Sequence, residues 1–155
     1  MRKNTKIKKQ PIQPDYKYNN PIVTKFINYA MWEGKKSVAR TIVYEAFDTV
    51  AQKSKKDAMD IFDLALKNVA PTIEVVSKRV GGANYQVPRQ VKGERRDMLA
   101  MRWIISAARS KKGVNMGQKL AQVLLDSANN EGDAMKKKEN VEKMARANRA
   151  FAHFA

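Results

Sequence analysis

A chain of 155 residues with 31 Lys and Arg against 15 Asp and Glu carries a formal charge of +16. That is far beyond the roughly 2–8 units that keep a small domain soluble, so the chain is read as the partner of a polyanion, a nucleic acid or an anionic membrane surface, whose phosphates its cations neutralise. The absence of Cys excludes disulfides, thiolate zinc sites and cysteine nucleophiles, and no apolar run approaches the ~18 residues needed to span a bilayer, so neither secretion nor membrane insertion is expected.

In chain order the elements predict a mainly α fold. It is a bundle of about six helices with a protruding two-stranded β-hairpin between the third and fourth. Residues 1–20 read as an extended basic arm and 21–155 as a single helical domain, long enough to bury a core of its own. The arm holds six basic residues, one acid and prolines at 11 and 14, with too few clustered apolar side chains for an amphipathic element. Asn20-Pro21 then supplies a cap and a proline at the first helical position, and Ile22, Phe26, Ile27, Ala30 and Met31 keep helical spacing until Gly34. A second helix covers about 37–53, with Val38, Ile42, Ala46 and Val50 on one face and Phe47 beside them. A third starts at an Asp57 cap, buries Ile61, Phe62, Ala65, Leu66 and Val69, and stops before Pro71.

From 71 to 93 the periodicity changes from helical to two. Ile73, Val75, Val76 and Val80, then Gly81-Gly82, then Tyr85, Val87 and Val91 spell a hairpin at about 72–91. The glycines supply the positive φ angles of its tip, and Pro88 is tolerable because a two-stranded ribbon is all edge. An isolated ribbon is marginal in water. Part of this one is therefore expected to project and to be ordered by a partner, the alternative being a hairpin wholly packed on the helices. A fourth helix follows over about 94–109. Its Arg95, Arg102 and Arg109 are seven apart and drift only about 20° per step, forming one stripe, while Leu99, Met101, Trp103, Ile104, Ile105 and Ala108 face the core. Asn115 caps a fifth helix, with Gln118 at the reciprocal position and Leu120, Val123, Leu124 and Ala128 inward. Residues 133–150 are helix-prone but polar on almost every side, with Val141, Met144 and Ala145 as the only apolar patch, so this last helix lies on the body. Trp32, Trp103 and the methionines fall on or beside apolar faces and are read as core.

Catalytic chemistry finds no footing, and no cofactor or small-molecule substrate is expected. Gly34-Lys35-Lys36-Ser37 lacks the glycine five residues before the Gly-Lys pair that a phosphate loop requires, and Lys36 stands where Ser or Thr would follow. Gly81-Gly82 lacks dinucleotide spacing. Asp57, Asp60 and Asp63 are close enough on one helix to be considered as metal ligands, but acids in the first turn answer its dipole and orphan N–H groups. With His153 as the single histidine, no histidine metal site or nucleophile triad can be assembled. The basic residues concentrate instead in the arm, the Lys35-Lys36 loop, Lys78-Arg79, Arg95-Arg96, Lys111-Lys112 and the last helix. Flat or amide side chains that can stack on bases or bond their edges lie near two of these: Asn84, Tyr85 and Gln86 on the hairpin, and Phe151, His153 and Phe154 at the terminus. Packing within the strands is an equal alternative for Tyr85. A basic body with a ribbon arm also fits an architectural DNA-binding protein.

Three stretches are more specific than charge: Val80-Gly81-Gly82-Ala83-Asn84-Tyr85-Gln86-Val87-Pro88, Gly34-Lys35-Lys36-Ser37-Val38-Ala39, and Ala147-Asn148-Arg149-Ala150-Phe151-Ala152-His153. With Arg102-Trp103, they closely resemble the bacterial-type small-subunit ribosomal protein family seven, in the same order and with similar spacing from about residue 14 to 153. The resemblance implies a helical body with a protruding hairpin, working in the cytoplasm within the small ribosomal subunit. There it would bind the 3′ major domain of the ribosomal RNA, help nucleate head assembly, touch neighbouring proteins of head and platform, and border the exit-site tRNA and mRNA. By resemblance, Lys35, Lys36, Arg79, Arg95, Arg102, Lys111 and Lys112 hold ribosomal RNA, together with Arg2, Lys3, Lys6, Lys8 and Lys9 of the arm and with Arg96 and Arg109 of the fourth helix. Lys78, Gly81, Gly82, Asn84, Tyr85 and Gln86 would lie toward the exit site, and Arg146, Arg149, Phe151, His153 and Phe154 near messenger RNA and the platform. One departure from the pattern adds charge to the second strand: Arg89-Gln90 follows Pro88 where a Val-Glu pair is common.

Overall fold

A computed structural model describes residues 11–154 of the chain. Its elements run α1 (Pro21–Ala30), α2 (Lys36–Ser54), α3 (Ala58–Val69), β1 (Ile73–Val80), β2 (Ala83–Gln90), α4 (Glu94–Ser110), α5 (Met116–Ala128) and α6 (Asp133–Ala147), followed by a 3-10 helix, Arg149–Phe154. The expected architecture is therefore present, with the hairpin inserted between the third and fourth helices.

Local chemistry accounts for the helix boundaries. Asn20 Oδ1 accepts from the Ile22 amide at 2.8 Å ahead of Pro21 at the first helical position, and Asp57 Oδ1 accepts from the Met59 amide at 2.9 Å. Asn115 Oδ1 accepts from the Gln118 amide at 2.8 Å. Each side chain satisfies a donor that the first helical turn leaves without a partner. The first helix stops earlier than the apolar spacing suggested, because Met31 is extended and Glu33 and Gly34 turn left-handed at φ 49° and 74°.

The core is held around three rings, Phe26 of α1, Phe47 of α2 and Phe62 of α3, all fully buried, with Phe62 5.1 Å from each of the other two. Phe47 also decides which face of α2 turns inward. Ala46, Phe47 and Val50 are buried as expected and are joined by Ala39 and Val43, whereas Val38 is exposed and Ile42 only half-buried. Centring the largest apolar side chain of the helix on the core shifts the first half of the stripe by one position, from Val38 and Ile42 to Ala39 and Val43, since burying a Phe removes more apolar area from water than burying a Val. Helix α5 lies at the centre, against α2, α3 and α4. At its start Gly117 permits the close approach: a Cβ there would stand 2.7 Å from Glu45 Oε2 and 3.1 Å from Glu45 Cβ.

Three further expectations are corrected. Trp32 is not core; it is 63% exposed just beyond the end of α1. Met144 points outward on α6, whose buried residues are Ala134, Met135, Val141 and Ala145. The stretch from Asp15 onward is a pinned turn rather than part of an extended arm. Asp15 is buried, accepts from the Tyr44 hydroxyl and from the Lys17 amide, and so carries Tyr18 edge-on to Tyr44 and Phe47. Residues 1–10, with Arg2, Lys3, Lys6, Lys8 and Lys9, lie outside the described residues.

The hairpin is antiparallel, in register from Ile73 opposite Gln90 to Val80 opposite Ala83. Gly81 and Gly82 form its two-residue turn at φ 57° and 88°, the double positive φ that matches the natural twist of a ribbon. Pro88 stands opposite Val75. The base packs on α6 and buries Val87, whereas Ser77, Lys78, Arg79, Ala83, Asn84 and Gln86 are exposed. The outer half thus stands clear of the helical body, and the element that covers one of its faces is the chain's own terminal 3-10 helix.

Candidate nucleic-acid interface

The base of the hairpin is fixed by one buried carboxylate. Glu74 of β1 accepts from Arg95 of α4 through Nε (2.8 and 2.9 Å) and Nη2 (2.7 Å), and from Arg89 Nη2 of β2 at 2.7 Å. The Arg95 guanidinium, seconded by Arg89, holds the Glu74 carboxyl below its ordinary range, against the opposing effect of its burial. Two arginines half open to solvent and one buried acid leave this cluster net positive, and fork-to-carboxylate pairing fixes the guanidinium planes. Arg95, expected to hold RNA, is thereby a strut between hairpin and helix. Arg89, the departure in the second strand, is its companion.

Arg95, Arg102 and Arg109 do form one line, spanning about 21 Å of α4 at 1.5 Å per residue. The guanidinium of Arg102 lies 5.4 Å from the Tyr29 ring centre, and that of Arg109 lies 5.1 Å from the Trp32 ring centre while donating to the Ala30 carbonyl at 3.2 Å. Cations over aromatic faces keep their charge and lose part of their freedom, so these two stand preset along the seam of α1 and α4. Arg96 is half-buried, and its Nε has no partner among the described residues.

The two lysine loops differ. Lys35 and Lys36 are both exposed at the α1–α2 turn, Lys35 with its ammonium 3.0 Å from Glu33. Lys111 is half-buried and donates to Asp126 at 3.1 Å, whereas Lys112 is exposed. Around them the structure gathers lysines that the sequence did not single out: Lys53 of α2 and Lys119 of α5 join Lys111 and Lys112 in lining an open cleft of about 390 Å³ between the two helices. Periodicity places each on a polar face, and only the packing of α2 on α5 makes them neighbours.

At the far end of the hairpin the two groups expected near tRNA and mRNA meet each other. Tyr85 is packed 5.1 Å from Phe151 and 5.4 Å from Phe154, His153 is 3.9 Å from Phe154, and Lys78 Nζ donates to the Phe154 carbonyl. Packing rather than free display is thus the state of Tyr85 and the two phenylalanines. Gln86 Nε2 donates across the ribbon to Ser77 Oγ at 3.0 Å. Arg79, Asn84 and the Gly81-Gly82 turn remain exposed. Arg146 and Arg149, with Arg89, rim a groove of about 440 Å³ whose floor is apolar: Ile73, Pro88, Ala145 and Ala152.

No cluster of three or more metal-ligating side chains occurs among the described residues. Asp57 is spent as a cap, and Asp63 has its carboxyl pushed up by burial and by the neighbouring charge of Asp60.

Comparison with known proteins points the same way as the geometry. The family described as ribosomal protein S7p/S5e matches residues 1–149. A relative from Chloroflexus aggregans, named small ribosomal subunit protein uS7, is 53% identical over 148 residues, covering 96% of this chain and 94% of its own. The protein of the same name from Beijerinckia indica is 54% identical over 146 residues, covering 94% of each chain.

Proposed function

We propose, because this chain belongs to the ribosomal protein S7p/S5e family, that it is a structural component of the small ribosomal subunit in the cytoplasm. In that role it binds the 3′ major domain of the small-subunit RNA, helps nucleate assembly of the head, and borders the exit-site tRNA and mRNA with its hairpin and terminal 3-10 helix. The family is one of structural ribosomal proteins, not of enzymes.

The observation that carries the RNA-binding part is the arrangement of charge on a rigid body. Among the described residues no Lys or Arg is buried: the basic side chains sit on outer helix faces, helix ends, loops and the ribbon, around an apolar core. Arg102 and Arg109 line the seam of α1 and α4, Lys36 is exposed at the turn that follows, lysines line the cleft between α2 and α5, and Arg79 stands on the hairpin with Arg146 and Arg149 beside its base. Phosphate contacts of this kind supply affinity and register, without reading sequence. The exposed Gly-Gly tip and Asn84 are the groups available to a base edge or a backbone beyond the body. The reading is tested by cosedimentation: the protein is expected to travel with small subunits at moderate salt, and its recovery free throughout the gradient would overturn the proposal.

A further inference from the structure

We propose that Trp32 is a stacking platform for an unpaired RNA base, held from behind by Arg109. The inference rests on the RNA-binding reading and adds a site that the charge pattern does not mark. Trp32 follows the last residue of α1 by two positions, and its backbone is fixed by the turn in which its carbonyl accepts from the Lys35 amide at 2.9 Å. The Arg109 guanidinium, itself tethered to the Ala30 carbonyl, lies over the ring at 5.1 Å, yet the residue remains 63% exposed. One face of the indole is therefore occupied by a cation and the other is open to solvent.

Such a ring is oriented before any ligand arrives. A base laid on the open face would extend a stack of guanidinium, indole and base, with little side-chain freedom left to lose, and stacking of this type tolerates any base because every base has a π face. The surroundings fit a nucleic acid better than a protein. Arg109 lies over the ring, Lys35 and Lys36 follow exposed in the same turn, Arg102 sits two helical turns back along the line of Arg109, and Glu33, the one acid of the 31–36 turn, is already paired with Lys35. An apolar protein surface closing on this turn would take Arg109 and Lys36 out of water with no counter-charge of its own to offer them, whereas a single strand brings its phosphates with it. Exposed, unstacked bases are also the parts of folded RNA that side chains read most readily.

The test uses the full chain with Trp103→Phe, which leaves Trp32 as the one indole, titrated with the 3′ major domain of small-subunit RNA. Emission from Trp32 is expected to be quenched on binding and to become protected from acrylamide. Trp32→Ala should weaken binding about tenfold while leaving the slope of log affinity against log salt unchanged, because stacking releases no counterion. Trp32→Phe should recover part of the loss and controls for folding. Unchanged affinity in Trp32→Ala, or an indole as accessible to acrylamide in the complex as in the free protein, would overturn the platform while leaving RNA binding standing. Shielding that appears only when other small-subunit proteins are added would make the ring a protein contact and overturn it equally. Failure of the Trp103→Phe chain and of the unmodified protein alike to bind the RNA would remove the RNA-binding reading itself, and this inference with it.

Discussion

Replacing Glu74 by Gln removes the charge that joins β1, β2 and α4 while keeping the shape. In the native protein this carboxylate accepts four hydrogen bonds of 2.9 Å or less from two guanidinium groups, with its own side chain 8% exposed and those of Arg95 and Arg89 46% and 54% exposed. A hydrogen bond to a charged group contributes about 1.5–3 kcal/mol, and breaking a fully buried ion pair costs about 3–5 kcal/mol. Solvent screening of two half-exposed arginines places this cluster at the lower end, so Glu74→Gln should cost about 2–3 kcal/mol. The variant's side-chain amide would also turn donors toward the two cations. Urea denaturation at neutral pH reads this number, and faster hydrogen exchange in 73–76 and 87–90 locates it at the hairpin base. The pH dependence has a defined sign. Because the folded-state pKa of Glu74 is depressed below the ordinary 4.5, its contribution is fully present above that value and is lost as pH falls through the folded value. The gap between wild type and Glu74→Gln should be constant from pH 6 to 8 and narrow below about 4.5. A difference under about 0.5 kcal/mol at neutral pH, or one that does not narrow in acid, would refute the view that this carboxylate fixes the hairpin.

Phe62→Ala should cost about 3–5 kcal/mol in urea denaturation, since the ring is fully buried between Phe26 and Phe47. Phe154→Ala should free the hairpin tip without unfolding the body: exchange in 79–86 accelerates, while global stability falls by no more than about 1.5 kcal/mol, the scale of an aromatic pair. Lys112→Ala and Lys119→Ala should each lower RNA affinity and reduce the salt slope by about 0.9 for each phosphate that is no longer neutralised, with an unchanged circular dichroism spectrum.

Helix caps and the hairpin turn are legible in the sequence because their chemistry is local. Asn20, Asp57 and Asn115 each bond an amide two or three residues away, and Gly81-Gly82 answers to its own φ angles. Periodicity likewise identifies the core face of α3, whose apolar residues leave one choice of stripe. In α2 it leaves two, and the ring of Phe47 chooses between them only through contact with Phe62 and Tyr18. Trp32 escapes the pattern for a related reason: its apolar character matches the helix before it, but the chain has already left helical geometry by Met31.

The candidate interface divides in the same manner. Charge in loops and at helix ends is visible in composition along the chain, and the line of Arg95, Arg102 and Arg109 follows from a seven-residue spacing. What each cation does there depends on residues remote in sequence. Arg95 is bound by Glu74, Lys111 by Asp126, and Arg109 by Trp32 and Ala30. The clasp of Tyr85 by Phe151 and Phe154 joins positions more than sixty residues apart, and nothing in the local pattern of either stretch indicates it.

The central claim, that this charge is arranged for the ribosomal RNA of the small subunit, is met most directly by a hydroxyl-radical footprint on the complete small-subunit RNA, taken with an equal mass of duplex DNA present. Protection confined to the 3′ major domain and undiminished by the DNA is the expected result. Protection spread evenly along the RNA, or erased by the competitor, would contradict it.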